Sequence, residues 1–194
     1  CLGAATKFSQ LQLDADKRYE ATLALGTRTS TGDAEGEPVQ QLPVPELSDA
    51  LLASVRQRFL GAQSQVPPMH SALKHRGRAL YEYAREGREV ERQPREVRIF
   101  HLELALLEPE LLELKVHCGS GTYVRTLGED IATALGTCGH LVALRRTAAG
   151  QFGAAQCIRL TELEALEESA REGQLLPVDA LLPGHVPVTL SSAE

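Results

Sequence analysis

The chain has 194 residues, 43% of them hydrophobic, and a formal net charge of −6. That is enough apolar material for one good core and a small appendage. No apolar run approaches the roughly 18 residues of a membrane span, and the acidic balance excludes an indiscriminate polyanion binder.

The four cysteines (Cys1, Cys118, Cys138, Cys157) form no C-x-x-C pair, so reduced thiols and a cytoplasmic setting are expected rather than a disulfide scaffold. Cys138 and His140 lie two apart with no second closely spaced ligand pair, so no metal is expected. The sequence opens on Cys1-Leu2-Gly3-Ala4-Ala5-Thr6-Lys7, without a signal peptide, and reads as the middle of something longer. A fragment or a processed chain is therefore expected.

The first strand is read from Tyr19 to Leu25, where Tyr19, Ala21, Leu23 and Leu25 share one side by period two. A polar turn-rich loop follows, Thr27 to Gly36. Its Asp33-Ala34-Glu35-Gly36 lacks the ligand spacing, terminal glutamate and flanking helices of a calcium loop. Ser48 to Phe59 reads as a helix capped by Ser48, with a Leu51, Val55, Phe59 row and Gly61 beyond its end.

Gln65 to Gly87 enters on Pro67-Pro68, which forces an extended approach, and carries a short helix from about Arg78 to Glu86. Charge is concentrated here. Between Lys74 and Arg98 eight Lys/Arg stand against five Glu, a net of +3, whereas Thr161 to Glu194 holds seven acids and one arginine. Such a basic stripe suits a selective RNA binder and equally an ordinary charged surface.

Arg95 to Glu108 and Leu111 to Cys118 read as a β-hairpin around Glu108-Pro109-Glu110. Val97 and Ile99 share one phase and Leu102, Leu104 and Leu106 the other, which predicts a bulge near Phe100-His101. The hairpin runs into the turn Gly119-Ser120-Gly121 and then a helix from Thr122, as N-cap, to Leu135, with Gly136 as its stop. Val124, Leu127, Ile131 and Leu135 form its core face.

Arg125 sits in the first turn, where the helix dipole disfavours a cation by roughly 0.3–1 kcal/mol. It calls for a nearby anion, or else for an exposed i,i+4 pair with Glu129. Tyr19 and Tyr123, on residue type alone, serve equally as core aromatics. Further on, Thr161-Glu162-Leu163-Glu164 reads as a capping box opening a helix that stops at Gly173, and Leu175 to Leu182 as another short helix. Residues 183–194 read as the start of a further domain or tail, cut short.

The order Gly119-Ser120-Gly121-Thr122-Tyr123-Val124-Arg125-Thr126-Leu127, a helix, then Gly139-His140-Leu141-Val142-Ala143-Leu144-Arg145-Arg146-Thr147 closely resembles the signature of TruB-type tRNA pseudouridine synthases. So do the segment from Asp16-Lys17-Arg18-Tyr19 through Asp33 and Gly36, and the run Pro67-Pro68-Met69-His70-Ser71-Ala72-Leu73-Lys74 with Gly77, Leu80-Tyr81-Glu82, Ala84-Arg85 and Gly87. His70 stands where that family usually has tyrosine. The resemblance covers about Leu2 to Leu182.

It implies an α+β fold, a mixed and largely antiparallel sheet with flanking helices. Residues 1–182 would be most of the catalytic domain, with a thumb-like insertion over about 65–95 that grips the T-loop. It implies isomerisation of a T-loop uridine of tRNA to pseudouridine, in the cytoplasm, by a monomer that needs no cofactor, metal, DNA or membrane. The target base must leave its stack to be reached.

On the same resemblance Tyr19 stacks on the flipped base and takes part in proton abstraction, and Tyr123 and Leu144 line the uridine pocket. Arg125 pairs with the catalytic aspartate; Lys74, Arg76 and Arg78 contact RNA, and Arg145 and Arg146 hold RNA phosphate or carboxylates. That aspartate belongs to a Gly-Thr-Leu-Asp-Pro motif. The six aspartates here (Asp14, Asp16, Asp33, Asp49, Asp130, Asp179) lie in no such motif, so this chain alone is expected to be inactive. Two rivals are a non-catalytic RNA-binding scaffold and a nucleotide binder using Gly119-Ser120-Gly121 as a phosphate cradle, although the latter lacks the Gly-Lys-Ser/Thr ending.

Overall fold

The alternation along Tyr19–Leu25 belongs to the centre of a six-stranded sheet. The computed structural model describes residues 1–182, 184–186 and 188. A 3-10 helix, Gly3–Gln12, precedes β1 (Lys17–Leu25), and β2 (Thr27–Thr29) pairs with β3 (Pro38–Gln41) as a separate ribbon. Next come α1 (Asp49–Phe59), β4 (Gly61–Gln65), the two-residue strands β5 (Lys74–His75) and β6 (Arg78–Ala79), and α2 (Leu80–Arg85). Strands β7 (Arg95–Glu108) and β8 (Leu111–Cys118) form the long hairpin. After α3 (Val124–Ala134) come β9 (Gly139–Ala149), β10 (Phe152–Gly153), α4 (Leu160–Glu164) and α5 (Glu168–Glu172).

The large sheet has the order β10-β9-β1-β8-β7-β4, and every ladder in it is antiparallel. A lone parallel bridge, Asp33 with Leu141, ties the loop after β2 to β9. This is the α+β arrangement expected. Ala21, Leu23, Leu112, Leu114, Val116 and Ile99 bury one face of the sheet under α1 and α3, which present Leu52, Val55, Phe59, Leu127 and Ile131. Burying a side chain of this size is worth roughly 1.5–3 kcal/mol.

Contact between α3 and the sheet is close enough to require glycine. A Cβ on Gly139 would stand 2.8 Å from the Ala24 carbonyl oxygen and 3.0 Å from Ala132 Cβ. One on Gly128 would stand 3.0 Å from Leu141 Cδ2 and 3.3 Å from Leu23 Cδ1.

Several local expectations hold. Ser48 Oγ accepts from Leu51 N–H at the start of α1, and the register of β7 shifts between Ile99 and His101, as the change of apolar phase requires. Others are corrected. Thr122 does not cap α3: its hydroxyl donates to Gly119 O at 2.9 Å, Tyr123 is the N-cap without a side-chain bond, and the helix starts at Val124.

Arg78 and Ala79 are strand, because they pair with His75 and Lys74, so the helix starts only at Leu80. The helix expected from Thr161 to Gly173 is two short helices. Arg159 N–H donates to Glu162, and the Arg171 guanidinium satisfies the Leu166 and Glu164 carbonyls left at the break. The short helix expected over 175–182 is a 3-10 turn, Val178–Leu181. Most of the tail expected over 183–194 lies outside the described residues.

Candidate active site

The awkward cation at the start of α3 has three oxygen partners. Arg125 Nη1 donates to Asp33 Oδ2 at 2.8 Å and to Thr31 O at 3.3 Å, and Nη2 donates to His70 O at 2.7 Å. The i,i+4 pair with Glu129 does not form. Glu129 faces Arg28 at 3.5 Å instead, and burial pushes its carboxyl up.

Asp33 is held as firmly as the arginine. Its Oδ1 accepts from the Thr31 hydroxyl at 2.5 Å and from Glu35 N–H at 3.2 Å, while Leu141 N–H donates to Gly32 O and pins the loop to β9. Burial pushes the Asp33 carboxyl up. The Thr31 hydrogen bond, the Arg125 hydrogen bond, the Glu35 amide and the Arg125 charge together outweigh it and keep the group below its ordinary value.

Sheet pairing decides which other residues share this place. Tyr19 is the partner of Arg146 and Ala21 of Leu144, so all four side chains point to the helix-covered face. Tyr19 and Leu144 are diagonal neighbours, roughly 7–8 Å apart by ordinary sheet geometry. The Arg146 guanidinium lies 5.5 Å from the centre of the Tyr19 ring. Arg145 pairs with Glu20 and points to the opposite face, away from Tyr19.

The glycine contacts orient α3 above these residues. Ala132 lies over Gly139, and Gly128, one turn back, lies over Leu141. One further turn back advances about two more residues along β9. It carries Val124 and Arg125 toward the Ala21–Leu144 pair. Tyr19, Leu144 and Arg146 therefore share one end of the face on which α3 packs, where Leu144 is left 48% exposed, and Arg125 lies in the first turn of that helix.

Tyr123, half-buried, is the N-cap residue of α3, directly before Val124 and Arg125. Its backbone is gripped by Gln65: Gln65 Oε1 accepts from Tyr123 N–H at 3.1 Å, and Gln65 Nε2 donates to Tyr123 O at 3.3 Å. An N–H that a phosphate cradle would use is thus already taken, which counts against the nucleotide-binding rival.

The insertion is a small module with its own fastenings. Leu80 N–H donates to Leu73 O, Tyr83 hydroxyl to His75 O, and Arg92 to Pro67 O and Val90 O. Its cations are not equivalent. Lys74 and Arg76 are exposed, whereas Arg78 is paired with Glu86 at 2.6 Å and Glu82 at 3.3 Å and lies 4.7 Å over the Tyr83 ring. Arg76 has φ +49 and Gly77 φ +85, the two central residues of a tight hairpin turn that aims the Arg76 side chain outward. His70 meets Arg125 through its carbonyl, a contact indifferent to the side chain at that position.

Two residues here escape a reading from sequence. Asp33 sits 92 positions from Arg125, and its one signal is its place in the Thr-x-Thr-x-x-x-Asp spacing of the loop. Gln65 ends a strand that already holds Gln63 and Ser64, and carries no signal of its own. Among the described residues no cluster of His, Cys, Asp or Glu could hold a metal, and no helix is long and apolar enough to cross a membrane.

Known proteins match this sequence along its whole length. The family model described as TruB family pseudouridylate synthase (N terminal domain) matches residues 1–124, and the tRNA pseudouridylate synthase B C-terminal domain matches residues 125–183. A tRNA pseudouridine synthase B of Psychrobacter cryohalolentis is 53% identical over 194 residues, which is 100% of this chain and 54% of that protein. Its counterpart in Chromobacterium violaceum is 51% identical over 100% of this chain and 63% of its own length. The chain thus spans little more than half to under two thirds of these relatives.

In structure, a chain from a crystal structure of a Cbf5-Nop10-Gar1 complex matches with a TM-score of 0.66 and 24% identity, over 93% of this chain and 47% of that one. A chain from an H/ACA RNP bound to a substrate RNA containing 2′-deoxyuridine matches with a TM-score of 0.62 and 21% identity, over 93% and 46%. At these identities the likeness is one of fold. Two family models laid end to end and half-identical relatives along the whole chain make it a member of the TruB family of pseudouridylate synthases.

Proposed function

We propose that the protein carrying this chain isomerises a uridine in the T-loop of tRNA to pseudouridine, as a cytoplasmic monomer without metal or organic cofactor. The observation that carries the reading is Arg125, held at the first turn of α3 by Asp33, Thr31 O and His70 O on the same sheet face as Tyr19 and Leu144. The reaction breaks the N1–C1′ bond, turns the base, joins C1′ to C5, releases the C5 proton and returns one proton to N1. It needs an extruded base, a reactive carboxylate, a proton acceptor and apolar walls.

In this reading the carboxylate is the aspartate of the family's Gly-Thr-Leu-Asp-Pro motif, which this sequence does not contain. Arg125 keeps that group ionised and oriented, Asp33 fixes Arg125, Tyr19 stacks on the uracil and takes the proton, and Tyr123 and Leu144 form the walls. Residues 1–182 act as one catalytic unit. Lys74 and Arg76 reach the RNA backbone from the thumb, 65–95; Arg78, Arg145 and Arg146 are secondary contacts.

The test places this chain in the matching half of the Psychrobacter cryohalolentis relative and assays a T-arm hairpin for loss of C5 tritium. The parent should turn over, and Tyr19→Phe should lose at least about a hundredfold in kcat at nearly unchanged RNA affinity, the scale of a positioned acid–base group. Unchanged turnover in Tyr19→Phe would remove Tyr19 from the site. A parent that binds the hairpin tightly without turnover would favour the non-catalytic scaffold.

A further inference from the structure

Gln65 is 3% exposed, yet it is a polar side chain at the end of an edge strand, with no charge to pair. Burying an amide is costly unless its hydrogen bonds are made. Both of those made here go to one residue, 58 positions away: Oε1 takes the Tyr123 N–H and Nε2 donates to the Tyr123 carbonyl. That N–H would otherwise be one of the unpaired donors at a helix start.

Gln65 is also the point from which the thumb departs. Its cross-strand partner is Arg95, so the insertion leaves and returns across a single strand pair. A second tie joins the same two places, Arg125 Nη2 to His70 O at 2.7 Å. The thumb root and the start of α3 are therefore fastened twice, once at Gln65 and once at His70.

We propose that Gln65 is a positioning residue for the uridine pocket. Its amide, closed on both backbone groups of Tyr123, sets where the Tyr123 ring and the Arg125 guanidinium stand and locks them to the base of the thumb. The proposal rests on the pseudouridine synthase reading above. A primary amide suits the task because it donates and accepts in one plane, as a neutral carboxylic acid does and a carboxylate does not. A displacement near 1 Å of a substrate-positioning group can cost about a hundredfold in rate.

Gln65→Glu gives a test with a built-in switch, made in the active chimera described above. Ionised, the glutamate turns an oxygen rather than a donor toward the Tyr123 carbonyl; protonated, it restores both hydrogen bonds. Gln65 is among the residues lining a pocket of about 300 Å³ that also takes Arg58 from α1 and Asp130 and Thr133 from α3. Arg58 and the partner Arg95 favour the ionised form there, while Asp130 and burial favour the neutral one.

At pH 8 the expected result is a roughly 10–100-fold fall in kcat with KM within about threefold of the parent. The gap to the parent at equal pH should narrow as the pH falls toward 6. Gln65→Met, which fills the space without pairing, should show the same loss at every pH. An unchanged kcat with a lowered melting temperature, or a raised KM at full kcat, would overturn the proposal, as would a Gln65→Glu gap that ignores pH. If both variants unfold where the parent is folded, Gln65 supports the fold rather than the pocket, and the proposal also fails. An inactive parent would instead overturn the functional reading itself.

Discussion

Arg125 stands at the start of α3 with the Asp33 carboxylate 2.8 Å from its guanidinium. A cation in the first turn of a helix is electrostatically misplaced, and that alone calls for a nearby anion. Which anion depends on a loop that β9 holds in place through Leu141, and no local pattern around Arg125 encodes it. Asp33→Asn keeps the shape but removes the charge facing the guanidinium, and should cost about 1–2 kcal/mol at neutral pH. Because the folded carboxyl is held below its ordinary value, its stabilisation is fully present above the unfolded pKa of about 3.9 and is lost as pH falls through the folded pKa. Denaturant titrations of parent and variant should therefore diverge above about pH 4 and converge below it. A deficit independent of pH would mean that Asp33 acts through shape and not charge.

At the scale of elements, the hairpin of β7 and β8 is readable to its ends because apolar residues alternate against charged ones along β8 and recur in two phases along β7, one on each side of the register shift at Ile99/His101. Strand β4 is not, since Gly61-Ala62-Gln63-Ser64-Gln65 has no apolar alternation and owes its form to pairing with β7. Strand β9 is obscured by its bulges: register shifts at Arg18/Tyr19 and Thr22/Leu23 break its period, so Gly139–Thr147 is recognisable as a motif before it is recognisable as a strand. The β5–β6 turn shows a local conflict. Arg76 adopts φ +49, where an L-residue with a long side chain costs roughly 1–2 kcal/mol and asparagine costs less. Arg76→Asn should therefore tighten the hairpin, seen as slower exchange of the Leu80 amide that donates to Leu73 O, while weakening T-arm binding and lowering its salt slope by about one. An unchanged slope would mean that the turn does not meet phosphate.

Across the whole molecule, the distribution of carboxylates limits what this chain can do by itself. A chain of net charge −6 has no shortage of acids, but the proposed mechanism requires an attacking group that stands free beside Arg125. Asp33 is the aspartate that reaches Arg125, and both of its oxygens are committed: Oδ1 to Thr31 and Glu35, Oδ2 to Arg125 itself. Asp16 is joined to His117 on the opposite face of the sheet, Asp49 opens α1, and Asp130 borders the pocket beyond Gln65. On the proposed reading this chain would supply the walls, the cation and the RNA grip, and the attacking carboxylate would come from the family's Gly-Thr-Leu-Asp-Pro segment. The purified 194-residue chain should accordingly bind a T-arm hairpin in a salt-dependent way and release no C5 tritium from it. Adding in trans a polypeptide that carries the family's Gly-Thr-Leu-Asp-Pro segment should bring turnover, and changing that aspartate to asparagine should abolish it. Turnover by the chain alone would mean that one of its own acids attacks. Asp33 would then be the first to test, because freeing it from Arg125 is the smallest rearrangement that puts a carboxylate within reach of the base.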